Sequence, residues 1–248
     1  MNILALKLKL KQSERNEFEN IFIVRNEPKS PISEAIRTLR TNIKFSSLDK
    51  PIKTLLITSP IPEAGKSSIS VNLALSIAQN GNKVILVDAD LRKPVIHKIF
   101  EGDNKPGLTN ILIEDKKIKE VIREASDINP NLYYIPSGPI PPNPSELLGS
   151  NKMKGVLTDL KEQADFILFD SPPVIAVTDA LVLANQVDGV MLVLDAGGVT
   201  REIAMQAKLL LEKAKAKILG TVLNKINVES EGYYYYYYYG DEKKRRKK

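Results

Sequence analysis

Six short runs of predominantly apolar residues punctuate the chain, at Thr54–Thr58, Lys83–Asp88, Leu132–Ile135, Phe166–Asp170, Val187–Asp195 and Lys217–Asn224. Because they are apolar almost throughout and do not alternate with polar residues, they predict strands buried on both faces, as in a parallel sheet. Between them the apolar positions fall at helical spacing: Ile69, Leu73 and Ile77 in Ser67–Gln79, with further helical patterns at Leu108–Ile113, Ile118–Ala125 and Arg201–Ala214. Ahead of the first run, Ser33 is placed to cap a helix whose Ile36, Leu39 and Ile43 face the core. On the opposite face Glu34, Arg37 and Arg40 stand at i, i+3 spacing, either as a solvated surface or as a paired-arginine contact with a neighbouring subunit. Strands alternating with helices predict an α/β fold, a doubly wound and mostly parallel sheet in a single domain.

That domain is expected to span residues 30–228. Residues 1–29 read as an N-terminal extension in which Leu4, Leu6, Leu8 and Leu10 alternate with Lys7, Lys9 and Lys11, a strand-like period that suits an added sheet edge, a membrane surface or a frayed terminus. Residues 229–248 read as a flexible tail, in which Tyr233, Tyr234, Tyr235, Tyr236, Tyr237, Tyr238 and Tyr239 stand consecutively between Gly232 and Gly240. A strand would expose every other ring of such a run and a helix most of them, so it is predicted to be exposed. Two readings fit it, a set of phosphate acceptors or a low-complexity sticky end.

Composition narrows the chemistry. With no cysteine in 248 residues, disulfides and cysteine metal sites or nucleophiles are excluded, and the single histidine, His97, argues against a histidine-based metal site or triad. No stretch of 18 or more apolar residues is present to span a bilayer, and no secretory leader is recognisable, which gives a cytoplasmic expectation. The formal net charge is +6, of which the last eight residues supply +4. The body is therefore only mildly basic, and nucleic acid is not an expected partner; the basic run suits an anionic surface or plain solvation.

The chemistry concentrates at the strand ends. Pro60–Ser68 joins the first strand to its helix and closes on Gly65-Lys66-Ser67-Ser68, where a phosphate-binding loop would use its backbone N–H groups, with Lys66 on the β- and γ-phosphates and the Ser67 hydroxyl on Mg²⁺. Its first glycine is replaced by Pro60. Asp88 and Asp90 stand two residues apart at the end of the second strand, as a metal ligand and a base or as two ligands, with Arg92 and Lys93 following to offset phosphate charge. Asp170 ends the fourth run in the manner of a Walker-B carboxylate. Asn224 ends the last, as a reader of a base edge or a plain polar terminus.

Taken together these residues resemble the bacterial tyrosine kinases of capsule and exopolysaccharide synthesis. The resemblance rests on Glu34-x-x-Arg37-x-x-Arg40, the loop ending Gly65-Lys66-Ser67-Ser68, the run Ile85–Pro94 with its Asp88-Ala89-Asp90, Ser137–Leu148, Ile167–Pro173, and the terminal tyrosine cluster. It implies a P-loop NTPase fold of the MinD/ParA type. It implies ATP and Mg²⁺ held by Glu63, Ala64, Gly65, Lys66, Ser67, Ser68, Arg92 and Asn224, with Ser67, Asp88 and Asp170 on the metal, and Lys66, Asp88, Asp90 and Asp170 catalytic. It further implies a ring of subunits joined through Glu34, Arg37 and Arg40, and tyrosines autophosphorylated in trans. Its partners would be a membrane adaptor of the polysaccharide co-polymerase type, protein tyrosine substrates and a cognate tyrosine phosphatase, at the inner face of the cell membrane. Two departures bear on nucleotide affinity: Pro60 stands where the family usually has a small residue, and Pro62-Glu63-Ala64-Gly65 stands for the commoner Pro-Gly-x-Gly.

Two other functions use the same features. A MinD/ParA-like positioning ATPase would carry a signature lysine five residues before Lys66, where this chain has Ile61. A scaffold that binds nucleotide without transferring phosphate would act through its tyrosine-rich, basic tail.

Overall fold

The computed structural model describes residue 18 and residues 20–46 and 50–226. The tyrosine run, the basic tail and most of the N-terminal extension lie outside these described residues. Seven strands form one sheet: β1 Thr54–Thr58, β2 Val84–Asp88, β3 Arg123–Glu124, β4 Leu132–Ile135, β5 Phe166–Asp170, β6 Gly189–Asp195 and β7 Ile218–Asn224, in the order β3-β4-β2-β5-β1-β6-β7. Every pairing is parallel except β3 with β4. The central strands β1, β2 and β5 are buried along their whole length, which is why their sequences do not alternate.

Helices cover both faces, and the two-residue period of the strands divides the core between them. Leu55 and Ile57 of β1 pack with Leu86, Leu168 and Met191 beneath the helices Pro31–Phe45 and Lys66–Ala78. Leu56 points the other way, to Ile85, Ile167 and Phe169 and to Met153, Leu160, Leu183 and Leu211 of the helices opposite. Burial of each such leucine or isoleucine stabilises the fold by about 1.5–3 kcal/mol.

Strand order matters for the site. The chain enters the sheet at β1, moves to β2 on one side and later to β6 on the other, so neighbouring loops diverge at the carboxyl edge and leave a crevice there. Register places Asp88 directly beside Asp170, and Asp170 beside Ile57 of β1.

Four features differ from the pattern in the sequence. The first long helix starts at Pro31, and its N-cap is Ser30, which accepts a hydrogen bond from the Ser33 N–H at 3.2 Å; Ser33 lies a turn inside. Pro31 decides between the two serines, since its fixed φ suits the first helical position. The stretch Ile118–Ala125 is not one helix: it forms a turn of helix at Ile118–Val121 and then β3, which pairs with the edge of β4. The helices Asn151–Gln163 and Asp179–Ala184 are absent from the sequence pattern, as are the single turns of helix at Ile23–Asn26 and Ile96–Ile99. Finally, packing reaches back before residue 30: Val24 is fully buried and its N–H donates to Asn72 Oδ1 at 3.0 Å on the helix that follows β1.

Among the described residues no helix is long and apolar enough to cross a membrane.

Candidate nucleotide and phosphoryl-transfer site

Between Thr58 of β1 and Lys66 of its helix, seven residues turn the chain at the carboxyl edge of the sheet. Two of them hold left-handed backbone angles, Gly65 at φ +86° and Glu63 at φ +60°. Glu63 thus adopts the glycine-like conformation that its own side chain disfavours by about 1–2 kcal/mol. Replacing Glu63 with glycine is expected to stabilise the chain by about 1 kcal/mol once glycine's backbone entropy is allowed for. The gain should appear as a higher midpoint of urea unfolding at an unchanged slope; a lower midpoint would mean that the glutamate side chain contributes more than its backbone costs.

Gly65 is constrained twice over. A Cβ on it would lie 2.1 Å from Nδ2 of Asn224, whose amide donates to the Ala64 carbonyl at 2.9 Å. Asn224, whose place at the strand end suited either a base edge or a plain polar terminus, here braces the loop. Pro60, at the position of the missing glycine, is buried.

The helix opening at Lys66 turns its first N–H groups toward this loop, and with them the positive end of its dipole. Lys66 is buried at 9% exposure. The Ser67 hydroxyl donates to Asp170 Oδ2 at 2.6 Å, and the Ser70 hydroxyl lies 3.0 Å from Asp170 Oδ1. Ser68 is half-buried. Asp170 is almost fully buried, and burial pushes its carboxyl up to about 6 against the opposing pull of the Ser67 hydroxyl and the Lys66 charge. Asp88 is pushed well above the ordinary carboxylate range, first by burial and then by the neighbouring charge of Asp170.

The two strand-end aspartates of β2 are held differently. Asp88 accepts backbone N–H groups on both oxygens, from Val95 and Ile96 at 3.0 Å each and from Asp90 at 3.2 Å. Asp90 is only half-buried and accepts from Arg92 and Lys93 N–H on Oδ1, at 3.2 and 2.9 Å. Arg92, expected to offset phosphate charge, is engaged elsewhere: Nε and Nη2 donate at 2.8 and 3.0 Å to the two oxygens of fully buried Asp179. Asp179 and Ser70 are the two contributors that the pattern did not disclose. Both are ordinary in sequence and become informative only through partners about a hundred residues away.

The donor set fits Mg²⁺. One hydroxyl and buried carboxylates are hard oxygen ligands, and two adjacent buried acids that resist ionisation are relieved by a cation. Among the described residues no cluster of three or more His, Cys, Asp or Glu side chains could hold a metal by itself. Mg²⁺ is commonly held by one or two carboxylates together with a substrate's phosphates.

The helix of Glu34, Arg37 and Arg40 lies against the one that follows the loop. Arg37 pairs with Glu34 and also donates to the Pro28 carbonyl, while Arg40 donates to the Ser76 carbonyl at 2.8 Å. Tyr233–Tyr239 lie outside the described residues.

A family described as an AAA domain matches residues 63–202. The chain is 41% identical over 227 residues to the tyrosine-protein kinase YwqD of Bacillus subtilis (strain 168), covering 90% of this chain and 95% of that one. It is 40% identical over 195 residues to the tyrosine-protein kinase CpsD of Streptococcus agalactiae serotype III (strain NEM316), covering 78% and 82%. The kinase domain of the Escherichia coli tyrosine kinase ETK superposes with a TM-score of 0.79 at 34% identity, over 83% of this chain and 80% of that structure. The septum site-determining protein MinD of Pyrococcus horikoshii OT3, solved with Mg-ADP, superposes with a TM-score of 0.60 at 25% identity, over 71% of each.

Proposed function

The chain belongs to the bacterial tyrosine-protein kinases, and from that premise we propose that it transfers the γ-phosphoryl group of ATP to Tyr233–Tyr239 of a second copy of itself, in the control of capsule or exopolysaccharide synthesis. The observation that carries this is the 2.6 Å bond from Ser67 to Asp170, beside buried Lys66 at the start of the loop helix.

In this reading the N–H groups of Glu63, Ala64, Gly65, Lys66 and Ser67 hold the phosphate chain of ATP, and the Ser68 N–H at the helix start adds to the same positive field. Lys66 lies against the oxygens that gain charge as the γ-phosphoryl group moves. Ser67, Asp170 and Asp88 would hold Mg²⁺, which when bound would supply positive charge to offset that of the phosphates. A tyrosine hydroxyl has a pKa of about 10, so its proton needs an acceptor as the new P–O bond forms. Asp90 takes it: this carboxylate is half-open to solvent, whereas Asp88 has both oxygens committed to backbone N–H groups. Arg92, paired with Asp179, fixes the turn that carries Asp90. Asn224 holds the loop from the far side.

Around this centre we place a ring of subunits joined through the helix of Glu34, Arg37 and Arg40. A membrane adaptor of the polysaccharide co-polymerase type would activate it at the inner face of the cell membrane, and a tyrosine phosphatase would reverse it.

Mixing two forms, neither of which can label itself, tests transfer between copies. One carries Tyr233–Tyr239 all replaced by phenylalanine and keeps its site; the other carries Lys66→Met and keeps its tyrosines. With Mg-ATP, phosphotyrosine should appear on the second chain only when the first is present. Transfer within one chain predicts an unlabelled mixture, and phosphate release without label from the unaltered protein would indicate a positioning ATPase instead.

A further inference from the structure

A cavity of about 630 Å³ opens beside the transfer site, lined by Phe18, Lys93, Val95, His97, Lys98 and Asn104. Its wall is the backbone that holds both aspartates. Lys93 N–H donates to Asp90 Oδ1 at 2.9 Å, and Val95 N–H to Asp88 Oδ2 at 3.0 Å. Anything bound in this cavity therefore lies one turn of chain away from the carboxylate assigned to take the acceptor's proton.

The lining selects for charge. Lys93 and Lys98 are exposed and have no ionic partner among the described residues. Asn104 is already engaged, its amide donating to the Gly138 carbonyl at 2.6 Å and its oxygen accepting from Ser137 at 3.1 Å. Burial holds the His97 imidazole below its usual pKa, although Asp103 opposes the shift. Two ammonium groups are left to recognise a ligand, and they call for an anionic one.

The chain supplies such a ligand. Immediately before the tyrosines runs Glu229-Ser230-Glu231, and Glu231 is two residues from Tyr233, about 7 Å of extended chain. The tyrosines themselves are neutral, and the residues after Glu242 are basic, so the upstream flank is the part whose charge complements the cavity. We propose that this cavity is an acceptor-docking site, in which Lys93 and Lys98 of one copy bind the acidic stretch Glu229–Glu231 of a second copy and so present its tyrosines to Asp90. The proposal rests on the kinase reading above and adds what that reading leaves open, namely how the site chooses this acceptor.

A charge swap tests it. The donor is the full chain with its seven tail tyrosines as phenylalanine and with Glu229→Gln and Glu231→Gln, so that its own flank does not compete; the acceptor is the Lys66→Met chain. Adding Lys93→Glu and Lys98→Glu to the donor should slow transfer to the unaltered acceptor about fivefold more than transfer to a Glu229→Gln/Glu231→Gln acceptor. An acceptor carrying Glu229→Lys and Glu231→Lys should recover the loss with the reversed donor. Comparing acceptors cancels any general effect of the lysine changes on the site. An equal loss on all three acceptors overturns the proposal. Binding separates this outcome from failure of the kinase reading. A fluorescent peptide of residues 227–240 should bind the full-length donor without nucleotide, more weakly as salt rises and more weakly again to the reversed donor. Binding that ignores both salt and the two lysines overturns docking whether or not any phosphate is transferred.

Discussion

Replacing Lys66 with methionine should lower phosphotyrosine formation at least about a hundredfold while the chain stays folded. Methionine is nearly as long and fully apolar, so it fills a position that is 91% buried without leaving a cavity. What it removes is the Lys66 charge that acts on Asp170 and that the proposed mechanism sets against the transferring phosphate. A preorganised charge in a water-poor site contributes about 2.7–4 kcal/mol to transition-state stabilisation, which is a factor of about 10²–10³ in rate. Initial rates of phosphotyrosine formation, with an unfolding curve as control for folding, measure the effect. A variant within tenfold of the parent would mean that Lys66 does not meet the transferring group.

Asp170→Asn should separate stability from activity in the opposite sense. It is expected to abolish transfer, yet to raise the stability of the protein assayed without nucleotide at pH 7.5 by an amount on the order of 3 kcal/mol at most. The sign follows from the direction of the pKa. Burial lifts the folded-state value to about 6 from 3.8, so the native chain binds this proton more tightly than the unfolded chain does. The associated stability is present in full below about pH 4 and is lost as pH rises through about 6. A difference of about two pH units corresponds to roughly 3 kcal/mol. Loss of the charge-assisted bonds from Ser67 and Ser70 reduces the net gain in the variant. Urea midpoints measured from pH 5 to pH 7.5 should therefore fall for the parent and fall less for the variant. Some slope survives in both, because Asp88 is shifted in the same direction. Identical slopes would show that Asp170 titrates as an ordinary carboxylate.

These two residues were legible in the sequence because each sits at a boundary that local pattern marks. Lys66 follows a strand-to-helix turn, and Asp170 closes the apolar run Phe166-Ile167-Leu168-Phe169. The sheet could be read for the same reason: a central parallel strand announces itself by uninterrupted apolar residues. What stayed hidden depends on pairing across long stretches of chain. Asp179 looks like any acid at a helix start until Arg92 reaches it from 87 residues away. Strand β3 has two residues and no pattern of its own, and it exists because the edge of β4 was available. Ser30 and Ser33 are chemically identical caps, and a single proline chooses between them. The Pro-Gly-x-Gly turn in which Glu63 replaces the glycine had a structural answer that residue type alone did not disclose, because Glu63 takes the left-handed angle itself.

The contact between Asn224 and Ala64 spans 160 residues. During synthesis the loop can be translated, and its strand and helix begun, long before the residue that braces it has been made. Domains fold as units, and contacts this distant form late. The growing chain therefore lacks a finished phosphate cradle until β7 has joined the sheet. The brace on the loop is thus in place only shortly before Tyr233–Tyr239, the acceptors proposed above, are translated.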